Sequence, residues 1–320
     1  MVLEILLLIF GFFILIKGAD WFVDGASSVA SNLKVPKILI GLTIVAFGTS
    51  APEFAVSVKS IISSNHDIVL GNVIGSNILN ILLILGVASI IKPLVVKDDT
   101  VKKELPMMIL MMTIFGILIS DSIFDIGFNN ALTRSDGFIV IMFFSVFIYY
   151  LVMAALKSRN EKKEENEESP LSMGKSIIFT IIGIVMITLG SNFVVDNASL
   201  IATRIGVSEK MIGLTIIALG TSLPELVTSI TASKKGECDL AIGNIVGSNI
   251  FNVGMVIGVP VAIFGGINKI NFSGIDLIAM LVSSLLLFLF LVRDKHLSKR
   301  EGMIFLLLFV VYYSYVIISG

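Results

Sequence analysis

Two stretches of the chain almost repeat one another: "GLTIVAFGTSAPE", Gly41–Glu53, and "GLTIIALGTSLPE", Gly213–Glu225. Ten of the thirteen positions are identical, and each residue of the first copy has its counterpart 172 positions later. Each copy is an apolar segment that runs into Gly, Thr, Ser and Pro and then ends on a glutamate. The fold has to explain why one helix-breaking sequence occurs twice, each time beside a carboxylate.

The composition of the 320-residue chain is that of a membrane protein. Hydrophobic residues make up 56% and charged residues 15%, whereas about a quarter of a soluble domain is charged. The mean hydropathy is +0.99. Because a helix needs about 20 apolar residues to cross the hydrocarbon core, we predict an all-α membrane protein with ten transmembrane helices. The predicted spans are 2–30, 37–62, 68–91, 104–121, 136–156, 176–203, 209–232, 240–264, 273–292 and 301–319.

The basic residues orient these spans. If the amino terminus is outside, the cytoplasmic loops contain 17 of the 23 Lys and Arg residues and the outer loops contain 5, while Lys17 lies inside the first span. Cytoplasmic loops of membrane proteins carry an excess of Lys and Arg. The pattern therefore predicts a multi-pass protein of the cell (plasma) membrane, with its amino terminus outside.

One segment, 157–175, is strongly polar and has no apolar periodicity, which is typical of a flexible linker. It separates a first five-helix repeat, 1–156, from a second, 176–320, and the charge pattern places it in the cytoplasm. Two more pairs of motifs keep the offset of 172 residues. They are "KGADWFVDGASS" (Lys17–Ser28) with "LGSNFVVDNASL" (Leu189–Leu200), and "LGNVIGSNILN" (Leu70–Asn80) with "IGNIVGSNIFN" (Ile242–Asn252).

Five spans per repeat is an odd number, so the second repeat must enter the membrane from the opposite side. Inverted-topology repeats are typical of secondary transporters, in which the substrate site lies near the bilayer midplane on interrupted helices. The sequence therefore predicts a transporter with broken second and seventh helices at its centre, not an enzyme.

The breaks are predicted from Pro52 and Pro224. A proline removes a backbone N–H and clashes with the carbonyl one turn earlier. We expect the carbonyls around Ala46 to Thr49, and their counterparts, to lose their intrahelical partners. Irregular backbone at membrane depth needs another partner, and a bound cation is one.

Glu53 and Glu225 lie just past the breaks. A charged side chain in the middle of a membrane helix costs roughly 2.5–3.5 kcal/mol. No basic residue recurs at repeat-related positions to neutralise the pair, since Lys17 corresponds to Leu189. We therefore expect an external cation, and a divalent one would neutralise both carboxylates.

The third and eighth spans carry polar residues at intervals of four, which form one narrow stripe on a helix. Oxygen ligands of this kind suit Ca²⁺ and alkali ions, and the lack of Cys and His within the spans argues against zinc or copper. Glycines at the same interval predict close approach of a neighbouring helix. The stripes are Asn72, Ser76, Asn80 and Asn244, Ser248, Asn252; the glycines are Gly71, Gly75, Gly243 and Gly247.

Asp20, Asp24 and Asp196 lie towards helix ends, where water and headgroups reach. Lys17 is one turn from Asp20. We predict that these aspartates pair locally or lie as polar groups at the membrane interface, and that they do not bind the ion.

The motifs "GTSAPE", "GTSLPE", "GNVIGSNILN" and "GNIVGSNIFN" resemble the α-repeats of the sodium/calcium exchanger family, in the cation/calcium exchanger superfamily. The resemblance covers both halves, apart from the fourth, fifth, ninth and tenth spans and the linker. It implies a ten-helix inverted repeat whose first and sixth helices are long, tilted and mobile. It also implies the ion ligands: Glu53 and Glu225 for Ca²⁺ with the carbonyls of Thr49 and Thr221, flanking Na⁺ sites at Ala46, Ser50, Ser76 and at Ala218, Ser222, Ser248, and Asn80 and Asn252 at the centre.

Two departures from relatives in that superfamily bear on the counter-ion. Potassium-dependent members carry an acidic residue where this chain has Asn252, which speaks against K⁺ dependence. Proton/calcium exchangers show a "GNxxE"-type motif, whereas the stripes here contain no third carboxylate. Sodium is therefore the favoured counter-ion.

The expected function is secondary active antiport of Na⁺ and Ca²⁺ by alternating access, with Na⁺ entry driving Ca²⁺ extrusion. Two alternatives remain: an H⁺/Ca²⁺ exchanger on the same scaffold, and a passive cation channel, against which the inverted repeat argues. No cofactor is expected. The expected partners are membrane lipid and the two transported ions, without nucleic acid, and the expected state is a monomer.

Overall fold

The computed structural model describes residues 1–63, 66–124, 130–160, 171–207, 212, 215–216, 218–267, 270 and 274–319. These residues are almost entirely helical, apart from two-residue strands β1 (Leu94–Val95) and β2 (His296–Leu297). In chain order the helices are α1 (Val2–Leu33), α2 (Lys37–Thr49), α3 (Ala51–Ile62), α4 (Ile68–Ile91), α5 (Leu105–Leu118), α6 (Asp121–Phe124), α7 (Arg134–Asn160), α8 (Met173–Arg204), α9 (Ala218–Thr221), α10 (Leu223–Lys235), α11 (Cys238–Phe264), α12 (Gly274–Asp294) and α13 (Lys299–Ser319).

In the described part of the chain, seven helices are long and apolar enough to cross a membrane, and the bent pair α2–α3 would make an eighth. The prediction of ten spans is therefore not reproduced by helix length alone. The predicted fourth span is represented by α5, which has only 14 residues and follows a charged π-helical turn, Thr100–Glu104. The predicted seventh span falls partly on residues outside the described ranges.

The predicted helix breaks are present in both halves. Helix α2 ends at Thr49, Ser50 leaves the helical conformation (φ −83°, ψ 4°), and α3 continues at an angle of 46°. Ser222 has nearly the same geometry (φ −91°, ψ 4°). Pro52 and Pro224 each follow in the first turn of the next helix, where a missing N–H costs nothing.

Helices α1 and α8, each of 32 residues, pack against one another along their length. Glycines at intervals of seven make this possible. A Cβ atom at Gly18 would lie 2.7 Å from the Cβ of Met186, and one at Gly190 would lie 2.6 Å from the backbone nitrogen of Leu15. Small residues let membrane helices approach this closely, so the two repeat-related helices form a tight pair.

The loops at each end of the helices contact one another, in the two groups that the charge pattern assigned to the cytoplasmic and outer sides. At one end β1 pairs with β2, Lys97 bonds Asp239 at 2.8 Å, and Lys37 bonds Glu237 at 3.1 Å. Lys295 and Lys102 both contact Asp98 and lower the pKa of its carboxyl to about 2, so that it is ionised at neutral pH. All these loops were assigned to the cytoplasmic side.

The opposite end is joined by contacts between the loops assigned to the outside. Leu132 and Ile267 form a backbone bridge, with N–O distances of 2.8 and 2.7 Å. Arg204 at the end of α8 bonds Glu4 at 2.5 Å. The contacts therefore agree with the grouping of the loops.

Helices enter the predicted linker from both sides. Helix α7 runs to Asn160, and α8 begins at Met173, so that Lys175 is helical. Residues 161–170 lie outside the described ranges. The polar, mixed-charge sequence did not reveal these helical extensions, because exposed helix ends carry the same residue types as linkers.

Candidate cation-binding site

The two carboxylates occupy equivalent places just past the breaks. Glu53 lies in the first turn of α3 and Glu225 in the first turn of α10, and each residue is 1% exposed. The hydroxyl of Ser50 donates to Glu225 Oε1 at 3.2 Å, across the two halves. The repeat thus brings both glutamates into one buried region.

Among the residues that the structure describes, five oxygen atoms in this region have no hydrogen-bond partner: both carboxylate oxygens of Glu53, Oε2 of Glu225, and the side-chain oxygens of Asn80 and Asn252. Buried polar oxygens are nearly always hydrogen-bonded, because an unpaired one costs about 1–3 kcal/mol or more. Helix α3 packs against the turn that begins at Asn252, and α10 packs against the turn that begins at Asn80. The helix that carries each glutamate therefore lies against the turn that begins with an asparagine of the other half.

The serines assigned to the flanking sites are exchanged between the halves. Ser76 accepts a hydrogen bond from Ser222 at 3.2 Å, and Ser248 lies 3.4 Å from the hydroxyl of Thr49. The sequence grouped Ser76 with Ser50, and Ser248 with Ser222, because each pair belongs to one repeat. The hydrogen bonds instead join each break to the α4 or α11 stripe of the other half, because the two inverted halves interdigitate.

The remaining predicted ligands lie at the breaks. Thr49 bonds Asn244 Oδ1 at 2.9 Å as well as carbonyls of its own helix. Thr221 is the last residue of α9. The side chain of Ala218 lies outside the described residues, while Ala46 packs against Gly247.

The break carbonyls are better satisfied than the sequence predicts. The carbonyl of Ala46 accepts the backbone N–H of Ser50 at 3.0 Å, so the expectation that it loses its partner is wrong. The carbonyl of Gly220 faces Pro224, which has no N–H, and accepts instead the hydroxyl of Ser191 at 2.9 Å. A side chain on α8 therefore substitutes for the missing backbone donor.

Asn72 and Asn244 hold the helices that follow the breaks. Asn72 donates to the carbonyl of Glu53 at 3.1 Å and to Ser57 at 3.2 Å. Asn244 donates to Ser229 at 2.9 Å. These amides of the predicted stripe fix the carboxylate-bearing turns in place.

Asn80 and Asn252 begin π-helical turns, Asn80–Leu85 and Asn252–Ile257. Single π-helical turns inside α-helices occur frequently at functional sites. Sequence reasoning did not find these turns, nor the next residues that the structure implicates, Asn77 and Asn249. The offset of 172 residues between them was the available clue.

Asp20 has the local partner that the sequence predicts, but Asp20 and Asp24 also share a partner across the fold. Lys17 lies 3.9 Å from Asp20, but Lys235 at the end of α10 lies 2.7 Å from Asp24 and 3.6 Å from Asp20. The stronger contact is therefore made across the fold.

The site can hold a cation through oxygen ligands alone. In the described residues no group of three or more His, Cys, Asp or Glu side chains is placed to bind a metal ion, and neither glutamate has a basic partner. Two carboxylates with neutral hydroxyl, amide and carbonyl oxygens form the ligand set that hard cations such as Ca²⁺ and Na⁺ prefer.

Comparisons with known proteins identify the family to which the chain is similar. The sodium/calcium exchanger protein family matches residues 3–153 and 175–318. The chain is 35% identical over 312 residues to the inner membrane protein YrbG of Escherichia coli, covering 95% of this chain and 94% of YrbG. It is 28% identical over 341 residues to the sodium/calcium exchanger MaX1 of Methanosarcina acetivorans, covering 96% of each.

The fold is also similar to a solved structure. The sodium-calcium exchanger NCX_Mj, soaked with 10 mM Na⁺ and no Ca²⁺, superposes with a TM-score of 0.83. The two sequences are 31% identical, and the match covers 98% of each chain.

Proposed function

This chain belongs to the sodium/calcium exchanger family of membrane cation antiporters, which are transporters and not enzymes, and we propose that it exchanges Na⁺ for Ca²⁺ by alternating access. Na⁺ entry drives Ca²⁺ extrusion across the cell membrane. One observation carries the proposal: among the described residues, five buried oxygens of the two glutamates and of Asn80 and Asn252, including both oxygens of Glu53, have no hydrogen-bond partner.

The proposed ion ligands follow the geometry of the breaks. Ca²⁺ binds at the centre, where its two charges neutralise the two glutamates. Na⁺ occupies the same region and the flanking clusters, in each of which the small residues of one break meet the serine of the other half. The central ligands are Glu53, Glu225, Thr49, Thr221, Asn80 and Asn252, and the flanking groups are Ala46, Ser50, Ser248 and Ala218, Ser222, Ser76.

The proposed architecture is two inverted five-helix repeats, 1–156 and 176–320, joined by a cytoplasmic linker, 157–175. The helices α5 and α9–α10 complete the ten spans. The equivalence of the two breaks, the two π-helical turns and the two tight glycine helices supports this division, since each pair keeps the offset of 172 residues.

Coupling follows from charge. Burying ionised carboxylates without partners costs a large free energy, whereas Ca²⁺ or several Na⁺ ions would neutralise Glu53 and Glu225. The protein therefore closes and reopens readily only when it is loaded. A passive channel does not need to restrict its conformational change to the ion-loaded state. A channel also does not agree with membership of an antiporter family.

The test is counterflow in proteoliposomes. Vesicles loaded with Na⁺, with K⁺ or with acid are placed in sodium-free medium that contains radioactive Ca²⁺. We expect rapid Ca²⁺ uptake only with internal Na⁺, and loss of uptake in Glu53→Gln and in Glu225→Gln. Glu104→Gln is the control, because Glu104 is equally buried but bonds Tyr150 away from the site.

Each result decides the proposal. Uptake that follows internal acid in place of Na⁺ would assign H⁺ as the counter-ion. Near-normal uptake in both glutamine variants, or no uptake by the wild-type protein, would reject the assignment of the central site.

A further inference from the structure

We propose that Asn249 is a positioning residue, which turns the side-chain oxygen of Asn80 towards the transported cation. Its repeat-related counterpart Asn77 does the same for Asn252. This inference rests on the proposed ion site and identifies what orients two of its ligands. Each asparagine belongs to a three-residue chain of hydrogen bonds that ends on a methionine sulfur, and we call these chains the first and second amide relays.

The first amide relay consists of Met108, Asn249 and Asn80. The side-chain nitrogen of Asn249 donates to the sulfur of Met108 at 3.6 Å. The nitrogen of Asn80 donates to the side-chain oxygen of Asn249 at 2.9 Å. This leaves Asn80 Oδ1 as the last atom of the chain, buried and without a hydrogen-bond partner.

The second amide relay has the same order. Asn77 donates to the sulfur of Met280 at 3.8 Å, and Asn252 donates to the oxygen of Asn77 at 3.2 Å. Asn252 Oδ1 is again buried and without a partner. Each residue is related to its counterpart in the first relay by 172 positions, so the arrangement was duplicated together with the ion ligands.

The sulfur atom determines the direction of each relay. An asparagine amide presents an oxygen on one side and an NH₂ group on the other, and either could face its neighbour. A thioether sulfur has no hydrogen to donate, so it accepts only from the NH₂ group of Asn249. The side-chain oxygen of Asn249 must then face Asn80, and it accepts a hydrogen bond from the NH₂ group of Asn80. The oxygen of Asn80 is left to face the centre.

Burial makes this direction hard to reverse. Solvent does not reach the first two residues of either relay, which are Met108, Asn249, Met280 and Asn77. Water therefore cannot form hydrogen bonds with a reversed amide. Reversal of Asn80 would place two polar hydrogens against the cation and an oxygen against the oxygen of Asn249. The relay therefore preorganises an oxygen ligand, and such outer contacts raise metal affinity by about 10- to 100-fold in characterised sites.

The relay also explains why buried methionines are used on α5 and α12. Leucine would fill the same space without an acceptor. The predicted repeat motifs stop short of these two helices, yet Met108 and Met280 keep the same offset. The ion site thus extends into the fourth helix of each proposed repeat through hydrogen bonds.

The test measures Ca²⁺ uptake into Na⁺-loaded vesicles as a function of Ca²⁺ concentration. For Asn249→Leu we expect the half-saturating Ca²⁺ concentration to rise about 10-fold, with little change in the maximal rate. Met108→Leu conserves side-chain volume. It should also raise the half-saturating Ca²⁺ concentration, but by less than Asn249→Leu does. Met111→Leu is the matched control, because Met111 is buried on the same helix and belongs to neither relay.

A double variant separates a relay from two independent structural effects. If Met108 acts only through Asn249, adding Met108→Leu to Asn249→Leu should cause no further rise, since coupled residues are non-additive. The relay would be overturned if the two substitutions raised the half-saturating Ca²⁺ concentration additively, or by no more than Met111→Leu does. It would also be overturned if the variants lost maximal rate and thermal stability while the half-saturating Ca²⁺ concentration stayed unchanged. Glu53→Gln in the same assay tests the ion site itself: its failure to stop uptake would reject the proposed function, whereas an intact glutamate requirement with unshifted relay variants would reject only the relay.

Discussion

The side-chain ammonium of Lys235 lies 2.7 Å from the carboxylate of Asp24, and it also donates to the carbonyl of Asp20 at 2.9 Å. These bonds tie the end of α10 to the middle of α1. The counterpart of Lys235 in the other half is Ser63, whose hydroxyl bonds the carbonyl of Lys59 in its own helix. Within the described residues, Ser63 therefore supplies no counterpart of the charged contact that Lys235 makes.

Lys235→Met should make the part of α1 from residue 20 to residue 33 open more readily. Both partners are partly exposed, so the tie contributes at most about 1 kcal/mol, which is about a five-fold change in local opening. We expect amide hydrogen exchange in residues 20–33 to accelerate by up to that factor, and less at high salt because exposed charges are screened. Lys234→Met removes a charge from the same turn and should leave exchange unchanged. Equal acceleration in both variants would contradict the tie.

An acidic side chain is bonded to a tyrosine in each half. Glu104 accepts from Tyr150, and its counterpart Asp276 accepts from Tyr312 at 2.8 Å. The first acid is 1% exposed, whereas Asp276 is only partly buried. The two bonds are alike in chemistry and differ in access to water.

Tyr150→Phe should lower the free energy of unfolding by about 1.5–3 kcal/mol, because it leaves a buried acid without its donor. Tyr312→Phe should lower the free energy of unfolding by less, because water can reach Asp276. Thermal unfolding in detergent measures both, with Tyr149→Phe as the control because Tyr149 is exposed. Equal losses for the two bonded tyrosines would show that burial does not set the cost.

The sequence predicted the parts of the molecule that depend on local chemistry. Pro52 and Pro224 each lack the backbone N–H that would continue the preceding helix, and a duplicated motif with a fixed offset predicted two equivalent breaks with two buried glutamates. The hydrogen bond from Ser222 to Ser76 was not predicted, because it depends on how two inverted halves interdigitate, which no single motif encodes.

Other features were missed because they depend on distant contacts. The tie between Lys235 and Asp24 joins positions 211 residues apart, and the satisfied carbonyl of Gly220 depends on Ser191 of another helix. The close packing of α1 and α8 left a readable pattern, since Gly11, Gly18 and Gly25 recur every seven residues.

Ser191→Ala should destabilise the second break by about 1–3 kcal/mol, because the carbonyl of Gly220 then has neither a backbone donor nor a hydroxyl. Ser199→Ala is the control on the same helix, since the buried hydroxyl of Ser199 has no hydrogen-bond partner in the described structure. Thermal unfolding distinguishes them: a lower transition temperature for Ser191→Ala alone is expected, and equal transition temperatures would show that the carbonyl has another partner.

The glycines of α4 and α11 have equivalent sequence positions and different surroundings. A Cβ atom at Gly247 would lie 2.7 Å from the Cβ of Ala46 and 2.9 Å from the Cα of Leu42. A Cβ at Gly75 would have no atom of the described residues within 4 Å. The predicted close approach is therefore confirmed on α11, while the counterpart of the approaching segment for α4 falls mainly on residues outside the described ranges.

Gly247→Ala should lower the free energy of unfolding by about 1–3 kcal/mol, because overpacking forces α2 away from α11, and it should lower Na⁺-driven Ca²⁺ uptake since the displaced segment carries the first break. Gly75→Ala should be neutral, or stabilising by up to about 1 kcal/mol through the better helix propensity of alanine. Thermal unfolding and vesicle uptake of the two variants check this together. If Gly75→Ala proved as damaging as Gly247→Ala, α4 would have to meet a helix as closely as α11 does during the transport cycle, and the contrast between the two halves would belong to one conformation only.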